Sequence, residues 1–167
     1  MVLKIRRASV KDTSVIVELN TGLVESQYKN FLKSSVNAFF KEYNLPGNGL
    51  MKEKLAYIRK MLHDYYTIIA FDKNVPVGFL TVAFYKEPFY KYSSYADIIK
   101  LYVIDSYRGK GVSSLLFSKA VEDFKKKSNY LMISVNACNH RALRVYENWG
   151  FVKHGYAMML DFASFKN

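Results

Sequence analysis

From Val103 to Ser114 the chain reads Val-Ile-Asp-Ser-Tyr-Arg-Gly-Lys-Gly-Val-Ser-Ser, which places two glycines and two cations where an apolar run gives way to a helical repeat. Ala96 to Ile104 has the character of a buried strand. Ser113 to Lys127 carries apolar residues at helical spacing, beginning at Val112 and continuing through Leu115, Leu116 and Ala120 with Phe117, Val121 and Phe124 beside them. The turn between must therefore open a helix. The first N–H groups of a helix lack an intrahelical partner and the helix dipole adds partial positive charge, so such a turn favours an anion, a phosphate above all. Gly109 and Gly111 let the backbone come close to that anion, although a tight turn needs glycine with no ligand present as well.

A second group of residues follows one strand later. Asn139 and His140 open a helix whose apolar stripe is Ala142, Val145, Tyr146 and Trp149, and Gly150 stops it. Tyr146 brings a hydroxyl to the inward face, four residues after Ala142, where it is either a core tyrosine or a proton donor. Cys138 has no His-Asp context around it and reads as a small packed residue. His140 and His154 lack metal-ligand spacing, so no metal is expected. Lys125, Lys126 and Lys127 sit where the helix dipole favours cations, a solvated helix end.

The wording of both stretches resembles one family. Arg108-Gly109-Lys110-Gly111-Val112-Ser113 is similar to the Arg/Gln-x-x-Gly-x-Gly/Ala signature of the GCN5-related N-acetyltransferase (GNAT) superfamily, with Ser113 where that family has Gly or Ala. The run from Asn139 to Phe151 resembles its Asn-x-x-Ala-x-x-x-Tyr-x-x-x-Gly-Phe pattern. The resemblance implies that Arg108, Gly109, Lys110, Gly111, Val112, Ser113 and Ser114 hold the pyrophosphate of acetyl-coenzyme A, with Asn139 touching the cofactor as well. It also implies that the strand Ala96 to Ile104 splays from Leu131 to Asn136, so that the pantetheine arm pairs with backbone near Leu101, Tyr102 and Val103. An amine then attacks the thioester directly, N–H near Val103 stabilises the oxyanion, and Tyr146 protonates the leaving thiolate. Carboxylates that serve as general base in some relatives are replaced here by Ile99, Lys100 and Ser134. Asp97, His63 and a water chain remain as candidates, and none is assigned.

These groups need positioning elements. Leu3 to Arg6 alternates as a short strand, and Ser9 or Asp12 caps a helix to about Glu25 carrying Val10, Ile16, Val17 and Leu19. Phe31 to Phe40 suggests a second helix, residues 45–49 a break, and Met51 to Asp64 a third helix. The resemblance makes residues 25–64 one wall of the acceptor site. Tyr66 to Phe71 and Val75 to Tyr85 form a hairpin in which Gly78 marks a bulge or a close approach. Lys86 to Ser94 reads as an exposed aromatic loop, Tyr130 to Asn136 as a buried strand, and Phe151 to His154 and Tyr156 to Phe162 as closing strands.

At 167 residues, half of them apolar, the chain supports one domain, 1–167, of α/β class: a mixed, mostly antiparallel central sheet flanked by helices. One cysteine excludes an internal disulfide, and no run approaches the roughly 20 apolar residues of a membrane span, so a cytoplasmic protein without membrane contact is expected. A net charge of +11 favours anionic partners. The expected activity is acetyl-coenzyme A dependent N-acetyl transfer to an amine on a peptide N-terminus, a lysine or a small molecule. The rival is a non-catalytic basic module binding nucleic acid or another polyanion, which the second motif disfavours. Homodimers, common in the superfamily, are compatible with this chain.

Overall fold

The computed structural model describes residues 1–31, 51–86 and 94–155. Two compact units divide the chain, Met1–Ser26 with Leu45–Ser134, and Gln27–Asn44 with Val135–Asn167.

In the first unit, β-branched and aromatic runs form β1 (Leu3–Arg7), β2 (Tyr66–Asp72), β3 (Val75–Lys86), β4 (Ser94–Val103) and β5 (Tyr130–Ile133). They pair in the order β1-β2-β3-β4-β5, antiparallel except for the parallel pair β4-β5. The sheet is therefore mixed and mostly antiparallel, as expected. Gly78 fulfils both of its readings. The register slips beside it, leaving Val77 as the extra residue, and a Cβ on Gly78 would lie 2.6 Å from the Tyr102 carbonyl oxygen.

Helices α1 (Thr13–Phe31) and α2 (Met51–Asp64) cover one face through Ile16, Leu19, Leu23, Ile58, Met61 and Leu62, which meet Ile69 and Phe79. Helix α3 (Val112–Phe124) covers the other with Val112, Leu116, Ala120 and Phe124, a spine at every fourth residue. Leu115, counted among the apolar positions of this helix, turns out of that spine and is 46% exposed. Val10 is likewise exposed because it belongs to a 3-10 turn, Val10–Asp12, rather than to α1. Helix α1 runs past Glu25 to Phe31, since nothing in Ser26-Gln27-Tyr28-Lys29 breaks it.

Strand β5 corrects its expectation: it stops at Ile133, and Tyr130 and Met132 are exposed, because among the described residues it pairs on one side only. Residues 151–155 form no strand. The ends of the expected loop Lys86 to Ser94 are strand residues that pair with each other; its residues 87–93, the expected helix beyond Phe31, the break at 45–49 and the strand from Tyr156 lie outside the described residues. No described helix is long and apolar enough to cross a membrane.

The entry to α1 is fastened electrostatically. Ser9 and Asp12 form a capping box, and Arg6 clasps the same carboxylate at 2.7 and 3.0 Å. The guanidinium, with N–H and O–H donors of Ser9, lowers the Asp12 carboxyl to about 2. A carboxyl lowered on folding stabilises above its ordinary value and loses that contribution as pH falls through the folded value. Asp12→Asn should thus cost about 2 kcal/mol in denaturant titrations at pH 6. The gap from wild type should close as the pH falls from 4 towards 2.

Candidate functional site

Strand β4 is paired along its whole length with β3 but only from Tyr95 to Ile98 with β5. The two part at a bulge. Thr81 pairs with Lys100 and Val82 with Ile98, so Ile99 is the extra residue at the point of departure, where a bulge bends the strand. The Ile104 N–H donates to the Val77 carbonyl at 3.0 Å, which sets the alternation of backbone groups along the end of β4. Tyr102 faces β3, whereas Leu101 and Val103 face the side that β5 has left. The splay is present, but Tyr102 departs from the expectation: its backbone groups point to Phe79 of β3, so among the described residues the open groups are those of Leu101 and Val103.

The strand runs into a 3-10 turn, Asp105–Tyr107, then into the glycines. Gly109 and Gly111 have φ of 78° and 81°, the left-handed region where a side chain is strained, and a Cβ on either would meet nothing within 4 Å among the described residues. Conformation demands these glycines, and the space over them is open. Gly111 is the N-cap of α3, supplies no side-chain cap, and is followed by Val112, Ser113 and Ser114 with no acidic residue in the first turn. The N–H groups there keep their pull on an anion. Lys110 lies 5.1 Å from the Tyr107 ring. Arg108 is engaged differently: it donates from Nε to the Val103 carbonyl at 3.2 Å and from Nη2 to Ser26 Oγ at 3.3 Å, and pairs with Asp105 at 2.7 Å.

Helix α1 reaches β4 at Gly22, where the Tyr102 hydroxyl packs so close that a Cβ would lie 2.5 Å from it. Between α1 and α2 lies a cavity of about 140 Å³ lined by Val17, Asn20, Val24, Glu25, Tyr57 and Ile58, and Lys100 of β4 sits 5.5 Å from the Tyr57 ring. Among the described residues, Asn20 Oδ1 is buried there without a hydrogen-bond partner. Sequence reading passed over this residue. Its signal is a lone amide among Ile16, Val17, Leu19, Leu23 and Val24. Of the candidate bases, His63 is exposed on Asp64, while Asp97 is partly buried in β4 and burial raises its carboxyl.

In the second unit, α4 (His140–Asn148) begins at Asn139, whose side chain accepts from the Ala142 N–H at 3.2 Å. It ends in a Schellman motif: Phe151 N–H to Tyr146 O, Gly150 N–H to Glu147 O, and Gly150 at φ 92°. Tyr146 packs its ring against Trp149 and Phe151, at 5.6 and 6.1 Å, and burial pushes its hydroxyl above the usual tyrosine value. Cys138 is exposed and holds Asn136 Oδ1 through its N–H.

Residues 32–151 match the family model of the acetyltransferase (GNAT) family. The chain belongs to the GNAT family. With that membership comes its enzyme class, an acyltransferase. Solved structures share the GNAT fold. A protein from Bacillus halodurans C-125 described as a transcriptional regulator is 21% identical, with a TM-score of 0.71, covering 96% of this chain and 100% of its own. A ribosomal-protein-alanine N-acetyltransferase from Brucella melitensis biovar Abortus 2308 is 14% identical, with a TM-score of 0.66 and coverage of 96% and 99%. The aminoglycoside N-acetyltransferase AAC(6')-Iy, solved in complex with coenzyme A, is 16% identical, with a TM-score of 0.69 and coverage of 96% and 94%. At these identities the likeness is one of fold. Among curated proteins, none matches the chain.

Proposed function

We propose that the protein transfers an acetyl group from acetyl-coenzyme A directly to a primary amine. The observation that carries this is the continuity of β4: an edge opened at Ile99 leads, within one turn, to an uncapped helix start. A pantetheine arm needs strand-like partners, and a pyrophosphate needs N–H donors and positive charge. The open edge and the glycine turn offer these in that order. Leu101 and Val103 would take the arm; Gly109, Lys110, Gly111, Val112, Ser113 and Ser114 the phosphates. Acetyl-coenzyme A supplies the activated thioester, and the chain supplies placement and proton transfer. The Val103 N–H, held in a paired strand, is set to stabilise the carbonyl oxygen as it gains charge. Tyr146, at the position of the family tyrosine, is the acid for the departing thiolate, and its raised hydroxyl stays protonated at neutral pH.

The acceptor class extends to a peptide or protein N-terminus, a lysine, or a small-molecule amine. The cavity between α1 and α2 supports acceptor recognition on this wall, because Asn20 Oδ1 lacks a donor and Glu25 adds negative charge. Thiol release from acetyl-coenzyme A against a panel of amines and peptides tests the activity. With the amine so identified, Asn20→Leu, which keeps the volume and removes the orphan oxygen, should raise the acceptor KM about tenfold and leave kcat near wild type. Its melting temperature should not fall. A fall in kcat at unchanged KM would take Asn20 out of acceptor binding.

A further inference from the structure

We infer that Arg108 is a positioning residue, a clamp that holds the open end of β4 to α1, and that it is not a ligand of the cofactor phosphates. The inference rests on the acetyl-coenzyme A reading above. An arginine presents five N–H donors in a rigid fork. Here the fork is turned inward, with its side chain 29% exposed. Nε holds the Val103 carbonyl, and Nη2 holds the Asp105 carboxylate and the Ser26 hydroxyl. The guanidinium also lies 5.7 Å from the Tyr102 ring, which itself packs on Gly22 of α1. One side chain thus ties together the strand end, the following turn and the helix that lines the acceptor cavity.

The bond to Val103 has a specific consequence. The peptide unit between Val103 and Ile104 is gripped from both sides: its N–H by the Val77 carbonyl at 3.0 Å, its C=O by Arg108 Nε at 3.2 Å. Of the four backbone groups that Leu101 and Val103 turn to the open edge, this C=O is taken. Among the described residues, the Leu101 N–H, the Leu101 C=O and the Val103 N–H remain for a strand-like ligand. Arg108 therefore sets the register and angle at which the thioester meets the Val103 N–H. Charge for the pyrophosphate then comes from Lys110 and the first turn of α3, and the cation that opens the Arg-x-x-Gly-x-Ser run serves geometry.

S-Acetylpantetheine separates the two roles, because it carries the thioester and the arm but no phosphate. Arg108→Ala and Arg108→Lys are compared with wild type in single turnover on acetyl-coenzyme A and on S-acetylpantetheine, beside calorimetric binding of coenzyme A. A clamp predicts that both variants lose about ten- to a hundredfold in the rate constant on both thioesters, since an ångström of misplacement has that scale. It also predicts that lysine does not rescue and that coenzyme A affinity stays within a few-fold. A phosphate ligand predicts the reverse: affinity for coenzyme A falls tenfold or more, lysine restores it, and the rate on S-acetylpantetheine is unchanged. That result would overturn the inference, as would a loss confined to the reaction amplitude at an unchanged rate constant, which marks unfolding alone. Wild type that neither binds coenzyme A nor turns over either thioester would overturn the acetyl-coenzyme A reading itself, and the clamp with it.

Discussion

Acetyl-coenzyme A at about 100 times its dissociation constant is expected to stabilise the wild-type protein by roughly 2.7 kcal/mol, and Gly111→Glu to erase that gain. Mass action fixes the size of the gain, and the site explains why the variant should lose it. Gly111 is the N-cap of α3 with φ of 81°, the first helical turn holds no acidic residue, and among the described residues nothing lies within 4 Å of where its Cβ would be. A carboxylate there would project into the space offered to the pyrophosphate and meet it as a like charge. The left-handed backbone adds a cost of its own, about 1–2 kcal/mol for any L-residue, and Gly111→Ala measures that cost separately. Both variants should melt lower than wild type by a similar amount without ligand. With ligand, the alanine variant should keep part of the shift and the glutamate variant none. Thermal denaturation of the three proteins across a cofactor titration reads this directly. A full shift in Gly111→Glu would remove the turn from cofactor binding.

Tyr146→Phe is expected to slow the chemical step by roughly 10² to 10⁴ while cofactor affinity stays within a few-fold. The substitution removes one hydroxyl and keeps the ring that packs against Trp149 and Phe151. Folding should therefore survive, and circular dichroism and melting should match wild type closely. Burial raises the hydroxyl above its ordinary value of 10.0, so the acid is loaded throughout the neutral range. A group of raised pKa loses its proton only as pH climbs through that higher value. The wild-type single-turnover rate should show no falling limb from this group through the neutral range, up to about pH 9. Single-turnover acetyl transfer is the measurement, since product release can limit steady-state rates and hide the loss. An unchanged rate constant would take Tyr146 out of the proton transfer and leave the cofactor turn untouched.

The elements that carry the site were legible in the chain because their causes are local. A strand run leading to Arg108-Gly109-Lys110-Gly111 and followed by apolar residues at helical spacing specifies a turn opening a helix, and the backbone follows it, with a 3-10 turn at Asp105–Tyr107 added between strand and glycines and the helix ending at Phe124 rather than Lys127. Asn139 and Gly150 bracket α4 for equally local reasons, a side-chain cap at one end and a left-handed residue at the other. The Asp72-Lys73-Asn74 connection made its hairpin. Family wording in Arg108–Ser113 and Asn139–Phe151 added the acetyl-transfer reading, and the match over residues 32–151 agrees with it.

Tertiary structure decided what depends on partners far apart in sequence. The exposure of Leu115 follows from which neighbours arrive, and periodicity counts apolar residues without knowing them. The bulge at Ile99 is a property of the β3-β4 pair, invisible in β4 alone, and it marks where β5 departs and which backbone groups are left open. Asn20 became notable only when α2 closed over it and left its oxygen without a donor. Arg108 shows the difference most plainly. Its place in the motif marks it as a cation beside a phosphate turn. Its role is set by Val103, Asp105 and Ser26, the last 82 residues away, because a guanidinium goes to the acceptors the fold brings within reach.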